Sequence, residues 1–411
     1  MTNITNKEPL LFLCHRIPFP PNKGDKIRSF NILKKLSEKF DIYLGCFIDD
    51  PYDKQYVDEL RQWCVESKVL DLNPTVAKLK SALGFITGAP LTIPYYYNKH
   101  LSYWVDNVVT EQNIQQAFVF SSSMAQYLDV KKFNNMNRII DFVDVDSDKW
   151  CQYASGISGV MKYVYSREGA KLAEYEIKIT NNFDAALFVS EKEAELFRSI
   201  SPNYLSNKIY GINNGVNIDY FNINAEINDV PELNNNVTKV VFTGAMDYWA
   251  NVDAVLWFIT KVWPLILKKI PDAQFYIVGG NPTKEIQALA KQNSIIVTGR
   301  VDDVRPYIKA ANAVVAPLQI ARGIQNKVLE AMSMSKPVVA TKLAMEGITE
   351  QETRELFITD DPRQFALNVI EQLSSNNALG VQNRNWIKEH FTWSTALNNL
   401  FTLFAKPEKV A

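Results

Sequence analysis

The chain has 411 residues, a length that suits two α/β domains better than one core. Its residues are 47% hydrophobic and 22% charged, as in a soluble globular protein, and a formal net charge of −1 creates no field that would gather nucleic acid. The start lacks the basic segment of a secretory signal, and no apolar run approaches the roughly 18 to 20 residues that span a bilayer. Four scattered cysteines and three histidines predict reduced thiols and no metal site. These features favour a cytoplasmic protein.

Short apolar runs alternate with amphipathic stretches through the first half of the chain. The runs predict strands at 10–14, 42–48, 68–72, 117–123, 138–143 and 185–190. Helical spacing is found between some of them, including 27–40 and a long stretch at 161–182. Alternating strands and helices predict a parallel, doubly wound sheet.

The stretch 212–236 is rich in Asn and Gly, and it is interpreted as the connection between two domains. The alternation then resumes with helices at 252–269 and 324–334, and the final segment 393–404 has the spacing of a helix. We therefore predict an α/β fold of two doubly wound, Rossmann-like domains, at 1–212 and 213–392. These would face each other across a cleft at the carboxyl ends of their strands.

The most informative segment is PLQIARGIQNKVLEAMSMSKPVVAT at 317–341. A strand ends at Pro317, a loop contains Gly323, and the helix that follows carries Lys327 and Glu330. The N–H groups at a helix N-terminus suit a phosphate, Lys327 adds positive charge, and Glu330 can accept hydrogen bonds from ribose hydroxyls. Each residue alone has an ordinary alternative, as a solvated lysine or a helical carboxylate. The complete pattern favours a nucleotide site.

This segment resembles the nucleotide-sugar segment of GT-B glycosyltransferases of family 4, in which an L-E-A-M helix precedes a P-V-V-A strand. The resemblance implies that the donor contacts Arg322, Gly323, Ile324, Asn326, Lys327 and Glu330. Members of the family usually have a second Glu eight positions before the one matched by Glu330. Arg322 stands there in this chain, and we expect it to contact phosphate instead.

The loop after the first strand, HRIPFPPNKGDKIRSF at 15–30, supports the same resemblance. Its prolines stiffen the loop, and Gly24 permits close approach to a ligand. Many members of the family read G-G-x-x-R here, whereas this chain has Asp25 at the second glycine position and keeps Arg28. Gly24 is assigned to the donor, and Asp25 and Arg28 are assigned to the acceptor side. The alternative is a plain turn.

Three acidic residues follow the strand at 138–143, namely Asp144, Asp146 and Asp148. Carboxylates at this edge of a parallel sheet point towards bound ligands. Asp144 is our candidate for orienting or deprotonating the acceptor hydroxyl, with Asp148 beside it. Two alternatives stay open: Asp146 and Asp148 cap the next helix, or the three acids hold a metal.

Two further loops are expected to face the donor. In FTGAMDYWANVDA (242–254), Gly244 and Asn251 flank a turn from strand to helix. In VTGRVDDV (297–304), Arg300 follows a strand end and suits a bidentate contact with phosphate. The alternative for Arg300 is a surface pair with Asp302 or Asp303.

Residues 78–105 mix three lysines, Lys78, Lys80 and Lys99, with a cluster of aromatic residues. Such a mixture suits a transient contact with a membrane surface or an amphiphilic acceptor. The alternative is core packing with a stacked aromatic loop.

Together with the segments at 166–176 and 183–197, these motifs resemble the sugar transferases associated with PEP-CTERM/exosortase exopolysaccharide loci. The resemblance implies a transferase that moves a sugar from a nucleotide diphosphate donor to a carbohydrate or lipid-linked acceptor with retention, in exopolysaccharide biosynthesis. It also implies that 393–411 returns to the first domain. The nucleotide sugar is a substrate, and no cofactor is expected. Two alternatives are a catalytically silent GT-B subunit and a dinucleotide-dependent oxidoreductase, although the latter's G-x-G-x-x-G motif is missing after the first strand.

Overall fold

The computed structural model describes residues 7–21, 24–321, 323–348, 357–374 and 378–405. The chain divides into two compact units. The first comprises Met1–Asn213 and Leu397–Ala411, and the second comprises Asn214–Ala396. Both units have a parallel sheet with helices packed against it, so the prediction of two doubly wound, Rossmann-like domains is confirmed.

The first unit is built on a seven-stranded sheet in the order β3-β2-β1-β4-β5-β6-β7. Its strands are β1 Glu8–Cys14, β2 Phe40–Ile48, β3 Cys64–Asp71, β4 Gln116–Phe120, β5 Asn137–Val143, β6 Ala185–Phe188 and β7 Ile209–Gly211. The central strand β1 pairs in parallel with β2 and β4, and its residues 10–13 are fully buried. Burial on both faces explains why β1 reads as a continuous apolar run.

Eight helices accompany this sheet in the described part of the first unit. They are α1 Gly24–Ser37, α2 Pro74–Ser81, α3 Leu83–Thr87, α4 Thr92–Tyr95, α5 Lys99–Glu111, α6 Asp146–Ser155, α7 Val160–Asn182 and α8 Glu191–Ile200. Side-chain caps begin α2, α5 and α8, where Asn73, Asn98 and Ser190 accept hydrogen bonds from the first turn.

The second unit has a six-stranded sheet in the order β10-β9-β8-β11-β12-β13. Its strands are β8 Lys239–Thr243, β9 Gln274–Val278, β10 Ile295–Gly299, β11 Ala313–Ala316, β12 Val338–Ala340 and β13 Phe357–Ile358. Its helices are α9 Trp249–Trp257, α10 Trp263–Leu267, α11 Lys284–Leu289, α12 Arg305–Ala310, α13 Asn326–Ser333, α14 Pro362–Ser374, α15 Ala378–His390 and α16 Trp393–Ala396. A π-helical turn, Phe258–Val262, joins α9 to α10.

The run from Trp249 to Leu267 differs from the prediction that no segment could span a bilayer. It has 19 residues and a mean hydropathy of 1.4, and by length and composition it meets the requirements of a membrane span. Half of its most apolar stretch is buried inside the structure, where Phe258 and Trp263 pack in the core of the second unit. A core helix of a globular unit accounts for this composition.

The stretch 212–236 contains the boundary between the two units, after Asn213, and from Asn214 onward it belongs to the second unit. Val216 bridges to Thr392, and Leu233 lies in the core of that unit. The predicted helix at 393–404 is also wrong in form. It consists of α16 in the second unit and a 3-10 turn, Leu400–Phe404, in the first, where Phe404 packs 5.2 Å from the ring of Phe40.

Candidate functional site

The second sheet reverses its strand order between β8 and β11, because β8 lies between β9 and β11 in space. In open parallel sheets, ligands bind outside the carboxyl ends of the strands at such a point. The segments that follow these two strands are the loop from Gly244 to α9 and the loop that leads into α13. Both contain residues that the sequence assigns to the donor.

Lys327 in the first turn of α13 contacts one residue of α9 and one residue of β8. Its Nζ donates a hydrogen bond of 2.6 Å to Oδ1 of Asn251, and it lies 4.2 Å from the centre of the Phe242 ring. Asn251 is held in turn, since its Nδ2 donates to the carbonyl of Ala245 at 2.9 Å. The ammonium group is therefore fixed at the carboxyl edge of the sheet.

Glycines allow the backbone to approach this ammonium group closely. A Cβ atom on Gly244 would lie 2.7 Å from Nδ2 of Asn251 and 3.2 Å from Nζ of Lys327. A Cβ on Gly279, which follows β9, would lie 1.8 Å from the carbonyl oxygen of Gly244. A side chain at Gly244 would fill the space beside Lys327, and a side chain at Gly279 would displace the backbone of Gly244, so the two glycines keep the carboxyl end of β8 open to a ligand.

Lys327 and Glu330 are partly buried and one turn apart on α13. Burial lowers the pKa of Lys327 to about 7, although the charge of Glu330 opposes this. Burial likewise raises the pKa of Glu330 to about 7, against the effect of Lys327. An anion beside Lys327 would offset the desolvation of its ammonium group.

The start of α13 suits that anion. Its N-cap, Gln325, makes no side-chain cap, and the preceding loop turns at Gly323 with a φ of 61°, which favours glycine. The positive end of the helix dipole adds to the charge of Lys327. Helix amides, a lysine and a carboxylate within one turn can hold the diphosphate and ribose of a nucleotide.

The other predicted donor residues have different surroundings. Ile324 is 5% exposed, and a Cβ on Gly347 would lie 3.1 Å from it, so its side chain packs in the core and only its backbone can meet a ligand. Asn326 accepts a hydrogen bond of 3.4 Å from Asn214. Arg300 is exposed at the end of β10, close to Gly280. Arg322 lies outside the described residues.

In the first unit, the loop after β1 and the start of α1 form a charged cluster. Asp25 accepts a hydrogen bond of 2.7 Å from Arg16, and Nε2 of His15 lies 3.4 Å away. Burial would raise the pKa of Asp25, but His15 and Arg16 hold it well below its usual range. A Cβ on Gly24 would meet nothing within 4 Å, so packing does not require this glycine.

The prediction that Arg28 contacts an acceptor is wrong in this structure. Its side chain is fully buried, where it pairs with Asp141 at 2.8 Å and donates to the carbonyl of Ile212 at 2.7 Å. The other carboxylate oxygen of Asp141 accepts a hydrogen bond of 2.9 Å from the amide of Val143. Val143 has a φ of 72°, a strained value for a β-branched residue. Arg28 thus supports the turn that leads to Asp144.

Asp144 directly follows this turn and is partly exposed. Lys149 forms ion pairs with Asp144 and with Asp146, whose pKa is raised by burial. Asp148 lies in the first turn of α6 and accepts a hydrogen bond of 3.2 Å from Gln152. The N-cap of α6 is Val145, so neither Asp146 nor Asp148 is at the cap position.

Among residues 7–21, 24–321, 323–348, 357–374 and 378–405, no group of three or more His, Cys, Asp or Glu side chains could hold a metal ion. Lys149 occupies the position between Asp144 and Asp146 that a cation would need.

Residues 237–375 match the family model described as Glycosyl transferases group 1. Over 266 residues the chain is 23% identical to an uncharacterized glycosyltransferase of Methanocaldococcus jannaschii, covering 60% of this chain and 63% of that protein. Over 174 residues it is 24% identical to an uncharacterized 44.6 kDa protein in the cps region of Klebsiella pneumoniae, covering 40% and 45%. The chain thus matches less than two thirds of the length of these curated relatives.

The solved structures that are similar to this chain include three sugar-handling proteins. Anabaena HepE in complex with UDP-glucose has a TM-score of 0.66 at 14% identity, covering 97% of this chain and 99% of that one. Sucrose-phosphate synthase from Thermosynechococcus elongatus has a TM-score of 0.70 at 16% identity, covering 97% and 98%. WaaG, a glycosyltransferase involved in lipopolysaccharide biosynthesis, has a TM-score of 0.65 at 12% identity, covering 97% and 100%. The chain has the GT-B fold.

Sequence reasoning missed two polar residues of the first GT-B unit. His15 directly follows β1, stacks on Phe120 with centroids 5.9 Å apart, and is next to Asp25. Glu176 of α7 accepts a hydrogen bond of 2.6 Å from Ser147, and burial raises its pKa to about 8. The position of His15 immediately after a predicted strand was the available signal. Glu176 had none, because only the packing of α7 on α6 brings it there.

Proposed function

We propose that this chain transfers a sugar from a nucleotide diphosphate donor to a carbohydrate or lipid-linked acceptor. The observation that carries the proposal is the Lys327–Asn251 contact beside Gly244, at the point where the second sheet reverses its strand order. The group 1 match over the same unit supports it, as does a similar structure that holds UDP-glucose. The nucleotide sugar is the substrate, and no resident cofactor is assigned.

In the proposed reaction the bond between the anomeric carbon and the diphosphate oxygen breaks, and the acceptor oxygen bonds to that carbon. The nucleoside diphosphate leaves, and the acceptor proton passes to Asp144 or to the leaving phosphate. Lys327 and the amides at the start of α13 stabilise the charge that develops on the phosphate, and this kind of stabilisation is usually the largest catalytic term. Glu330 holds the ribose, and Arg300 and Arg322 contact phosphate.

The test is incubation of the purified protein with a panel of nucleotide sugars, with nucleoside diphosphate release measured with and without acceptor. The wild type is expected to release nucleoside diphosphate from one of the nucleotide sugars, and Lys327→Ala is expected to lose this activity. The alternative, a catalytically silent GT-B subunit, is favoured by Arg322 standing where the family usually has Glu. It would bind a nucleotide sugar without releasing nucleoside diphosphate, with or without acceptor.

We further propose assignment to family 4 and to the PEP-CTERM/exosortase-associated subgroup, with retention of anomeric configuration and a role in exopolysaccharide biosynthesis. The resemblance of the motifs supports this, and so does a relative in a cps region. Retention is compatible with front-face attack, in which no strong base is required. Nuclear magnetic resonance of the product measures its anomeric configuration directly, and an inverted product would contradict retention.

We propose a cytoplasmic location, with peripheral association at the inner face of the membrane. Fractionation of cells that produce the tagged chain tests this. Recovery in the cytoplasmic and salt-extractable membrane fractions is expected, whereas recovery outside the inner membrane would contradict it.

Binding of the nucleoside diphosphate is expected to be strongest near pH 7. The pKa of Lys327 is lowered to about 7, so its positive charge is lost above that pH. Lys327 must then take up a proton when phosphate binds, which weakens the binding. The pKa of Glu330 is raised to about 7, so the carboxylate that accepts ribose hydroxyls is lost below that pH. Affinity should therefore fall on both sides, by up to about tenfold per pH unit on the alkaline side.

Calorimetry from about pH 6 to about pH 9 measures this profile. Glu330→Gln is the control, because it removes the contribution of this carboxylate on the acid side. Since the charge of Glu330 raises the pKa of Lys327, this variant should also move the alkaline loss of affinity to lower pH. A flat profile above pH 7 would contradict the assignment of Lys327 to phosphate.

A further inference from the structure

The predicted membrane-contact segment, 78–105, divides into two parts in the structure. In its second part Tyr96 packs inward, 5.6 Å from the ring of His15, and Nε1 of Trp104 donates to Glu66 at 2.6 Å, whereas Tyr97 and Tyr103 stay 48% and 69% exposed. The first part, taken with the start of α2 that precedes it, forms α2 and α3 and leaves large apolar side chains between 47% and 83% exposed, namely Val76, Leu79, Leu83, Phe85 and Ile86. Core packing therefore explains much of the aromatic cluster and does not explain α2 and α3.

A second exposed apolar group lies before and within the first turn of α7. Its side chains are between 37% and 80% exposed, namely Ile157, Val160, Met161 and Tyr163. These two short segments together hold more than half of the exposed large apolar side chains in the described part of the first unit. Exposed apolar groups concentrated in this way mark an interaction surface.

The two segments are joined through Arg167 and Glu168 of α7. Arg167 donates to the carbonyl of Gly84 at 2.6 Å and lies 4.9 Å over the ring of Phe85, while Glu168 accepts a hydrogen bond of 2.7 Å from the amide of Leu91. Tyr163 is one turn before Arg167, about 6 Å along the helix axis. Residues 76–86 and 157–163 are therefore linked through α7, and the two groups together are called here the apolar surface.

The charge of the apolar surface is of one sign. Residues 73–105 contain three lysines and no Asp or Glu, and residues 156–167 contain Lys162 and Arg167 and no acid. The next residue, Glu168, is buried beside Arg167 at 3.9 Å, so the exposed charges of this surface are all positive. Lys78, Lys80 and Lys162 are exposed beside the apolar side chains. The whole chain, in contrast, has a net charge of −1. An apolar surface with lysines around it complements an anionic bilayer.

We propose that the apolar surface binds the head-group region of an anionic membrane. The apolar side chains enter the boundary between head groups and acyl chains, and the lysines face anionic lipids. A second copy of this chain is the less favourable occupant, because two surfaces of the same positive charge would then meet. The binding stands on this surface alone, whereas its purpose, to reach a lipid-linked acceptor, rests on the proposed function.

Vesicle flotation tests the proposal. The wild-type protein is expected to float with vesicles of phosphatidylcholine and phosphatidylglycerol, less with phosphatidylcholine alone, and less at high salt. Two triple variants, Leu79→Ser/Ile86→Ser/Val160→Ser and Lys78→Glu/Lys80→Glu/Lys162→Glu, are each expected to lose at least about tenfold in partitioning. Matched controls change exposed residues elsewhere, as Tyr204→Ser/Leu367→Ser/Val381→Ser and Lys261→Glu/Lys268→Glu/Lys291→Glu, and should float like the wild type.

Three outcomes would overturn the proposal: the wild type does not float with the vesicles, the matched controls lose as much flotation as the triple variants, or neither triple variant loses flotation. If the wild type does not bind vesicles but sediments as a dimer, and the serine variant sediments as a monomer, the surface is assigned to a second copy instead. Nucleoside diphosphate binding is measured on every variant and is expected to be unchanged. Flotation without nucleotide binding would contradict the proposed function alone, and nucleotide binding without flotation would contradict the membrane surface alone.

Discussion

Replacing Lys327 with alanine is expected to weaken nucleoside diphosphate binding by about tenfold or more, since a hydrogen bond to a charged group contributes roughly 1.5 to 3 kcal/mol. The ammonium group is held against Asn251 at 2.6 Å, next to the open carboxyl end of β8. Lys327→Met should have the same effect while it keeps the aliphatic packing on Phe242. Calorimetry with the tightest-binding nucleoside diphosphate from a panel measures the change.

Glu330→Ala should weaken nucleoside diphosphate binding by a similar factor, but it should affect a ligand without ribose differently. If Glu330 holds the ribose and Lys327 holds the phosphates, inorganic pyrophosphate should lose much more affinity for the Lys327 variants than for Glu330→Ala. Lys268→Ala, an exposed lysine elsewhere in the second unit, is the control and should bind like the wild type. Unchanged nucleoside diphosphate affinity in a folded Lys327→Ala protein would refute the donor site.

The sequence predicted the architecture well because buried parallel strands leave a strong pattern. The runs at 10–14, 42–48 and 138–143 became β1, β2 and β5 almost unchanged. The short strands β7 and β13 were missed, since three and two residues show no period. The segment 393–404 kept helical spacing, but Trp393 packs beside Gly215 in one unit and Phe404 beside Phe40 in the other. Periodicity alone does not show such a division.

The residues assigned to the donor were easier to bring together from the sequence than those assigned to the acceptor. Gly244, Asn251 and Lys327 follow two neighbouring strands, so topology alone brings them to one edge. Arg28 was assigned to the acceptor because it matches a motif, yet its partner Asp141 lies 113 residues away inside an apolar run. No local pattern shows that an arginine on α1 and an aspartate in β5 will meet in the core.

The largest loss of stability is expected from Arg28→Met, at about 3 to 5 kcal/mol, because it leaves the Asp141 carboxylate buried without its partner. Both side chains are fully buried in the wild type, and their ion pair is 2.8 Å long. Urea unfolding measures the effect. Burial raises the pKa of Asp141 even beside Arg28, and without Arg28 this pKa should rise further. The folded variant then binds a proton that the unfolded chain releases, so its stability should fall as the pH rises above about 4.

Two double variants separate the support of the turn at Val143 from the stability of the core. Arg28→Met/Asp141→Asn removes both charges but keeps an oxygen that can accept the hydrogen bond from the amide of Val143, whereas Arg28→Met/Asp141→Leu removes that oxygen as well. Both should regain much of the lost stability, since replacing a whole buried pair is often close to neutral. Only the Asn variant should keep transfer to the acceptor, because the strained φ of 72° at Val143 needs this hydrogen bond to direct Asp144. Nucleoside diphosphate binding should be unchanged in both. Equal transfer rates in the two double variants would show that the pair serves the core alone.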